Sequence, residues 1–271
     1  MSVERFLLIA GEGGIPALVY RQAIRRGHTV KVASFSFFKT DPDLPRDHVM
    51  EFFSLDVLFA ILERFDYSHL CLSGKVPRGT LLESARLGED LLQSLKRCED
   101  WRDGPLLTAL FERIRQAGYH LLSPLDFLQE FLTRPEIIVG PGPTPEEWED
   151  IRFGFSLARF LADWEVGQTV VLKRKAVLSV EAAEGTNEAI RRGVALTRGR
   201  VVVIKAARSY QDGMVDFPTA GPETVRLLGE SGGGVLALEA GKTLIPDLAT
   251  VIKLAGEGRV SVLGVAGKDE M

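Results

Sequence analysis

Phe6-Leu7-Leu8-Ile9-Ala10-Gly11-Glu12-Gly13-Gly14-Ile15-Pro16 is the stretch that decides the fold. Its first five residues are apolar without alternation, as in a strand buried on both faces, and the glycines that follow permit a tight turn. Ala17, Leu18, Ala23 and Ile24 then recur at helical spacing up to Gly27, and a second strand is expected over 29–35. Strand, glycine turn, helix and strand make a βαβ unit, the opening of a doubly wound sheet. The fold class expected is therefore α/β.

Outward from this unit, the pattern predicts a helix over 49–64, a strand over 69–72, helices over 80–98 and 106–117, and a late strand over 119–122. Between 133 and 147 fall four of the chain's 13 prolines, which can continue neither a helix nor a central strand. The domain boundary is placed there, giving an N-terminal domain over 1–132, a Pro/Gly-rich linker over 133–146 and a C-terminal domain over 147–271. In the second half a helix is expected over 146–162, strands over 169–172 and 176–180, a short helix from 188, and a strand over 200–205. A helix over 222–228 follows, then strand-like runs over 234–238, 242–244 and 260–265, with 248–255 between the last two.

Composition narrows the function. The 271 residues are 45% hydrophobic and 26% charged, a globular balance. With 33 Lys+Arg against 37 Asp+Glu the formal charge is −4, so no broad basic face serves a polyanion and no nucleic-acid partner is expected. No apolar run approaches the roughly 20 residues of a membrane span. Cys71 and Cys98 are too few for a disulfide framework and have no Cys or His at ligand spacing. The N-terminus lacks the basic region and long apolar core of a secretory signal, and a reducing cytoplasm is expected. The four histidines pair with no nucleophile, which leaves Ser/His/Asp and Cys/His schemes without support.

Several constellations carry chemistry. Gly11-Glu12-Gly13-Gly14 either aims backbone N–H groups at a phosphate or is simply a tight βα turn; Pro16 stands where a dinucleotide fingerprint needs its third glycine. Gly74-Lys75-Val76-Pro77-Arg78 puts two cations after a strand, at the edge where open α/β sheets bind ligands. Glu181-Ala182-Ala183-Glu184-Gly185-Thr186-Asn187 places two carboxylates after a strand, with Thr186 or Asn187 also able to cap a helix. The segment from Lys205 through Arg208, Gln211, Asp212 and Asp216 to Thr219 and Gly221 is long for a plain connection. Two aspartates at this spacing suit a hard divalent ion bridging phosphates, or alternatively pairing with Arg208 or capping a turn.

These motifs, in this order, resemble the LpxI-type UDP-2,3-diacylglucosamine pyrophosphatases of lipid A synthesis. The likeness is carried by the opening glycine turn, by Ser73-Gly74-Lys75-Val76 and by Val166-Gly167-Gln168-Thr169-Val170-Val171. Its most specific parts are Glu181-Ala182-Ala183-Glu184-Gly185-Thr186 and Gln211-Asp212 through Asp216-Phe217-Pro218-Thr219-Ala220-Gly221-Pro222-Glu223-Thr224. The resemblance implies a cytoplasmic homodimer with at most peripheral contact at the inner membrane. Each chain has an N-terminal Rossmann-like domain and a distinct C-terminal α/β domain, with the ligand cleft between them. It also implies a divalent metal, usually magnesium, and attack of water on the α-phosphorus of a lipid-linked UDP-sugar to give UMP and 2,3-diacylglucosamine 1-phosphate. Carried over by motif, Asp212 and Asp216 bind the metal and activate the water, and Glu184 supports them. Gln211, Lys205, Gly185 and Thr186 contact the diphosphate, and Gly11, Gly13, Lys75, Arg78, Gln168 and Thr219 complete the substrate contacts.

The chain also departs from the family pattern. Asn187 stands where the family continues with Asp, Met214 where it has Arg between the aspartates, and Arg208-Ser209-Tyr210 where Lys-Pro precedes Gln-Asp. Asp to Asn removes an anionic oxygen, and Arg to Met removes a bidentate phosphate donor. These exchanges define the alternative: a diverged homologue that binds a nucleotide or sugar phosphate, or regulates a partner, without hydrolysis.

Overall fold

The computed structural model describes residues 5–76, 88, 103–209, 214 and 217–266. The chain divides into two compact units, one built on Met1–Gln129 and the other on Glu130–Gln211 and Phe217–Met271.

In the first unit the opening run forms β1 (Arg5–Ala10), joined by β2 (Thr29–Phe35), β3 (His48–Met50), β4 (His69–Ser73) and β5 (His120–Leu122). All neighbours are parallel, in the order β3-β2-β1-β4-β5. Helices α1 (Ile15–Arg25), α2 (Leu55–Arg64), α3 (Asp103–Gln116) and α4 (Leu125–Leu128) accompany it. Period-2 alternation splits β1 between two cores. Leu7 and Ile9 join Ala33, Phe35 and Leu70 under Leu55, Leu58 and Leu62 of α2 and Ile114 of α3. Phe6 faces the other way and stacks on Phe127 of α4 at 5.4 Å.

The helix expected over 49–64 is instead the short strand β3 followed by α2. Ser54 stops continuous helicity by accepting the Val57 N–H on its Oγ at 3.3 Å, an N-cap that leaves Val49 and Met50 on the sheet edge beside Ser34 and Phe35. The helix expected over 80–98 lies outside the described residues.

The second unit holds a mixed sheet in the order β6-β11-β10-β9-β7-β8, made of β6 (Ile137–Val139), β7 (Thr169–Lys173), β8 (Ala176–Val180), β9 (Val201–Lys205), β10 (Gly234–Glu239) and β11 (Val260–Val265). The central β9, β10 and β11 are parallel, while β6 and β7 pair antiparallel to their neighbours and β8 antiparallel to β7. Its helices are α5 (Pro145–Asp163), α6 (Thr186–Ala195), α7 (Pro222–Glu230) and α8 (Leu248–Gly258). Alternation again serves two faces. Val201, Val203, Leu236 and Leu238 pack with Ile190, Val225, Leu228 and Val251 of α6, α7 and α8. Val202, Ile204, Val235 and Ala237 pack with Ile151, Phe155 and Ala158 of α5. Full burial of each such side chain is worth roughly 1.5–3 kcal/mol, so the two-sided sheet is the unit's main source of stability.

The stretch 133–146, expected to be a linker, is built into this second unit. Ile137–Val139 is β6, paired to β11 at the sheet edge, where flanking prolines withhold no ladder hydrogen bond. Thr144 then opens α5 with a capping box: it accepts the Glu147 N–H at 3.2 Å, and Glu147 accepts the Thr144 N–H at 2.9 Å. The run 242–244 is not a strand; Leu244 makes only isolated bridges to Leu132 and Thr219. The β7–β8 hairpin turns on Arg174 and Lys175, with φ of 51° and 61°, and buried Asp150 of α5 accepts their N–H groups at 2.9 and 2.6 Å.

Candidate active site

Strand β9 ends on a lysine after four apolar residues, and Lys205 is only 6% exposed. A buried ammonium needs a counter-charge and hydrogen-bond acceptors. Strand register supplies them. Thr169 at the start of β7 lies opposite Lys205, and Val180 at the end of β8 lies opposite Val170, so the residues after β8 arrive at the carboxyl end of β9. Lys205 Nζ donates to Thr186 Oγ1 at 2.7 Å, and Thr186 Oγ1 donates to Glu181 Oε1 at 2.9 Å. The Gln168 N–H donates to Glu181 Oε2 at 3.3 Å, and Thr169 Oγ1 reaches Thr186 Oγ1 at 3.5 Å.

Burial pushes the Glu181 carboxyl up, but the Lys205 charge, the hydroxyls of Thr169 and Thr186 and the Gln168 N–H together outweigh it and hold the group below its ordinary value. Glu181 is thus ionised at neutral pH. The approach that makes this possible is close: a Cβ on Gly167 would stand 2.1 Å from the Glu181 carbonyl oxygen, so only glycine lets the segment before Gln168 pass.

Of the residues expected at the site, this edge brings together Gln168, Gly185, Thr186 and Lys205. Gly185 sits at the start of α6 with φ of 86° and no side-chain cap bond. Thr186 spends its hydroxyl inside the cluster, and Lys205 is held by it. Glu184 turns to the surface and pairs with Arg192. Thr219 lies on the bridge to Leu244, its hydroxyl donating to the Phe217 carbonyl at 3.1 Å. Asn187 accepts the Thr224 hydroxyl at 3.2 Å and so links the first turn of α6 to that of α7. Gln211, Asp212, Asp216 and Arg78 lie outside the described residues.

The segment leaving β9 is fixed residue by residue. The Ala206 N–H donates to the Gln168 carbonyl at 3.0 Å, and the Ala207 N–H to Glu239 Oε2 at 2.8 Å. Arg208 pairs with Glu165 at 3.4 Å, and Ser209 gives its N–H and hydroxyl to Asp163 at 2.6 and 2.8 Å. The returning end is fixed too: Ala220 N–H donates to the Leu244 carbonyl at 2.9 Å and Leu244 N–H to the Pro218 carbonyl at 2.8 Å.

In the first unit, Gly11, Gly13 and Lys75 stand on loops at the carboxyl edge of the sheet. The Gly11 N–H donates to the Ser73 carbonyl at 2.8 Å, and Glu12 and Lys75 exchange backbone bonds at 2.8 and 3.0 Å. A Cβ on Gly11 would meet the Lys75 carbonyl oxygen at 2.7 Å, so this glycine allows two loops to zip together. Gly13 and Gly14 both have open space at their Cβ positions, and of the two only Gly13 has a left-handed φ, of 92°.

The described residues do not fit a divalent ion. No group of three His, Cys, Asp or Glu among them is placed to hold one. The carboxylates at the carboxyl edge of the second sheet are already committed, Glu181 to Lys205 and Thr186, Glu184 to Arg192, and Glu239 to Arg159 and Lys242.

Comparison with known proteins settles the family. The model of the LpxI N-terminal domain matches residues 5–131, and that of the LpxI C-terminal domain matches residues 135–263. The chain belongs to the LpxI family. Among its relatives, the UDP-2,3-diacylglucosamine pyrophosphatase LpxI of Caulobacter vibrioides is 30% identical over 277 residues, covering 95% of this chain and 96% of that one. A solved structure, the UDP-glucose 4-epimerase of Thermus thermophilus in complex with NAD, overlaps 52% of this chain and 41% of its own length at 17% identity and a TM-score of 0.29. That overlap bears on neither cofactor nor reaction.

Glu181, Thr169 and Glu239 are site residues to which the sequence reading assigned no role. A usable signal existed for the first: an ammonium closing an apolar strand requires an anion, and Glu181 is the carboxylate that the reversal through β7 and β8 delivers.

Proposed function

We propose that this LpxI-family chain hydrolyses the diphosphate of UDP-2,3-diacylglucosamine in lipid A synthesis, with water attacking the α-phosphorus to release UMP and 2,3-diacylglucosamine 1-phosphate. The observation that carries the reading is the locked Glu181–Thr186–Lys205 cluster at the sheet edge from which residues 206–209 lead to Gln211 and Asp212. Phosphoryl transfer asks of a protein mainly fixed charge and close positioning, and a hydrogen-bonded cluster at a strand end supplies both.

In this reading Asp212 and Asp216 take the proton of the attacking water and provide ligands for a divalent ion, which would offset the charge of the diphosphate. Gly185, at the start of α6, contacts the phosphate oxygens, and Gln211, Gln168 and Thr219 are the further substrate contacts that the family motifs assign. Lys205 acts from within the cluster as a buried positive charge. The same reading makes the protein a cytoplasmic homodimer with at most peripheral contact at the inner membrane. No helix among the described residues is long and apolar enough to cross a membrane.

Hydrolysis in ¹⁸O-water tests this directly. The label is expected in UMP, with release lost on chelation of divalent ions and in Asp216→Ala. Label in the lipid phosphate would move the attack to the β-phosphorus. Asn187 and Met214, which replace charged residues of the family pattern, favour the second reading, a binding or regulatory homologue. Tight binding of intact substrate without UMP would establish it.

A further inference from the structure

Helix α5 carries apolar side chains on two opposite sides. Ile151, Phe155 and Ala158 face the sheet and are buried there. On the far side Phe153, Phe160 and the C-cap residue Trp164 are 45%, 56% and 60% exposed, with Leu157 half-buried between them. The Phe160 and Trp164 rings pack on each other, centroids 5.9 Å apart. With 3.6 residues per turn, these four side chains fall within about 60° of the helix circumference and form a stripe about 16 Å long. A surface helix is ordinarily polar on the side away from its core, whereas a helix that is apolar all round is covered all round.

Spacing, area and charge indicate what covers this one. The intervals between 153, 157, 160 and 164 are four, three and four, the same read in either direction. A two-fold axis that sets two such helices antiparallel therefore puts Phe153 against the partner's Trp164 and Leu157 against the partner's Phe160, a self-complementary contact. The three exposed rings leave roughly 300 Å² of apolar surface in water. A standard interface takes about 800 Å² from each partner, about 65% of it apolar in homodimers, so the rings supply more than half of the apolar part. Exposed Arg152 and Asp163 lie on one flank of the stripe, near its opposite ends. Reversal brings each to the end where the partner presents the opposite charge, while the two Arg152 side chains stay about 20 Å apart along the helices.

Charge argues against a lipid surface as the occupant. Along α5 five carboxylates stand against two arginines, and one of those, Arg159, is bound to buried Glu239. A helix that lies on an anionic membrane needs a cationic border instead.

We propose that the Phe153–Leu157–Phe160–Trp164 stripe of α5 is the face through which two copies of this chain pair, antiparallel about a two-fold axis. The proposal deepens the homodimer reading by naming its face, and rests on that reading for the existence of the dimer alone.

Sedimentation of the purified full chain over about 1–100 µM tests it, because the dimer fraction depends on protomer concentration. The wild type is expected at twice the 29.8 kDa of one chain. Phe160→Glu places two carboxylates in the contact, one from each copy, and should raise the dissociation constant at least about 100-fold. Leu248→Glu adds the same charge at another exposed apolar position, on α8, and should leave the dimer intact. Far-UV circular dichroism verifies folding, and Trp164→Ser, which shortens the stripe without adding charge, replaces Phe160→Glu should that chain not fold.

A Phe160→Glu chain that stays dimeric with wild-type affinity would overturn the face and leave the homodimer reading standing. Dissociation by Leu248→Glu to the same extent would overturn it too, since the loss would then not be specific to α5. A wild type that remains monomeric over the whole range would overturn face and homodimer together. If that monomer floats with phosphatidylethanolamine–phosphatidylglycerol vesicles and Phe160→Glu does not, the stripe belongs to the membrane surface instead.

Discussion

Replacing Lys205 by Met tests the logic of the buried cluster. Methionine keeps the length and apolar stem of lysine, so packing against β9's neighbours is largely preserved and the loss is the ammonium. Glu181 then keeps the Thr186 hydroxyl and the Gln168 N–H but loses its counter-charge. Removing one partner of a buried pair costs about 3–5 kcal/mol; with those two hydrogen bonds retained, the lower figure of about 3 kcal/mol applies. At about 2–4 °C per kcal/mol, the melting transition of the second unit should fall by about 6–12 °C. The sign of the pH dependence is the sharper test. In the wild type the Glu181 pKa is lowered, so its stabilisation is full above the ordinary glutamate range of about 4.3 and is lost as pH falls through the folded value. Without Lys205 the largest influence that lowers the pKa is gone while burial still raises it, so the ionised Glu181 is less favoured at neutral pH than in the wild type and the variant loses less on protonation. The gap in Tm between wild type and Lys205→Met, followed by differential scanning calorimetry, should therefore be widest near pH 7 and close toward pH 3. A gap that stays constant with pH, or a neutral-pH loss below about 2 °C, would refute the assignment of Lys205 and Glu181 as an ionised pair.

Gly167→Ala places a methyl where the Glu181 carbonyl oxygen already stands, at 2.1 Å, so the two segments must part. The expected result is a stability loss above about 2 kcal/mol in chemical denaturation and a larger proportional loss of UMP release. Asp150→Ala leaves the Arg174 and Lys175 N–H groups without their acceptor and should cost about 1–3 kcal/mol per N–H left unsatisfied, whereas Lys175→Gly in the same hairpin relieves a left-handed conformation and should gain up to about 1 kcal/mol. Urea unfolding of both variants checks the opposite signs.

The parts of the fold that were legible in the sequence are those where burial leaves a local mark. β1, β9 and β10 carry continuous apolar runs of four or five residues, and β11 is broken only by Ser261 and Gly264, because helices cover both faces of their sheets. β3 and β6 have three residues each and lie at sheet edges, too short for any period to show, and so the pattern merges one into a helix and the other into a linker. Residues 242–244 mislead in the opposite direction: Leu244 is buried by backbone bonds to 218 and 220 at the end of a connection, a contact set by distant chain. The candidate site divides in the same way. Thr186, Gln168 and Lys205 were legible from motif, but their grouping depends on the reversal at Arg174 and Lys175 that returns β8 beside β7. Glu239 was illegible because its importance lies in an N–H 32 positions away.

That dependence on register changes how the departure at 187 is weighed. As a ligand, an asparagine in place of aspartate forfeits a negative oxygen, which is why it favours a non-hydrolytic reading. In the fold, however, the residue accepts a hydrogen bond from the Thr224 hydroxyl, and a carboxamide oxygen accepts it as a carboxylate would. The first turns of α6 and α7 therefore stay joined, and with them the Gly185 and Gly221 starts that frame the segment between β9 and α7. Asn187→Asp restores the charge without disturbing this bond. It should raise UMP release if position 187 acts as an anion in the reaction and leave it unchanged if the position only ties the helices. An equal Tm for the two chains, measured alongside, separates the catalytic effect from the structural one.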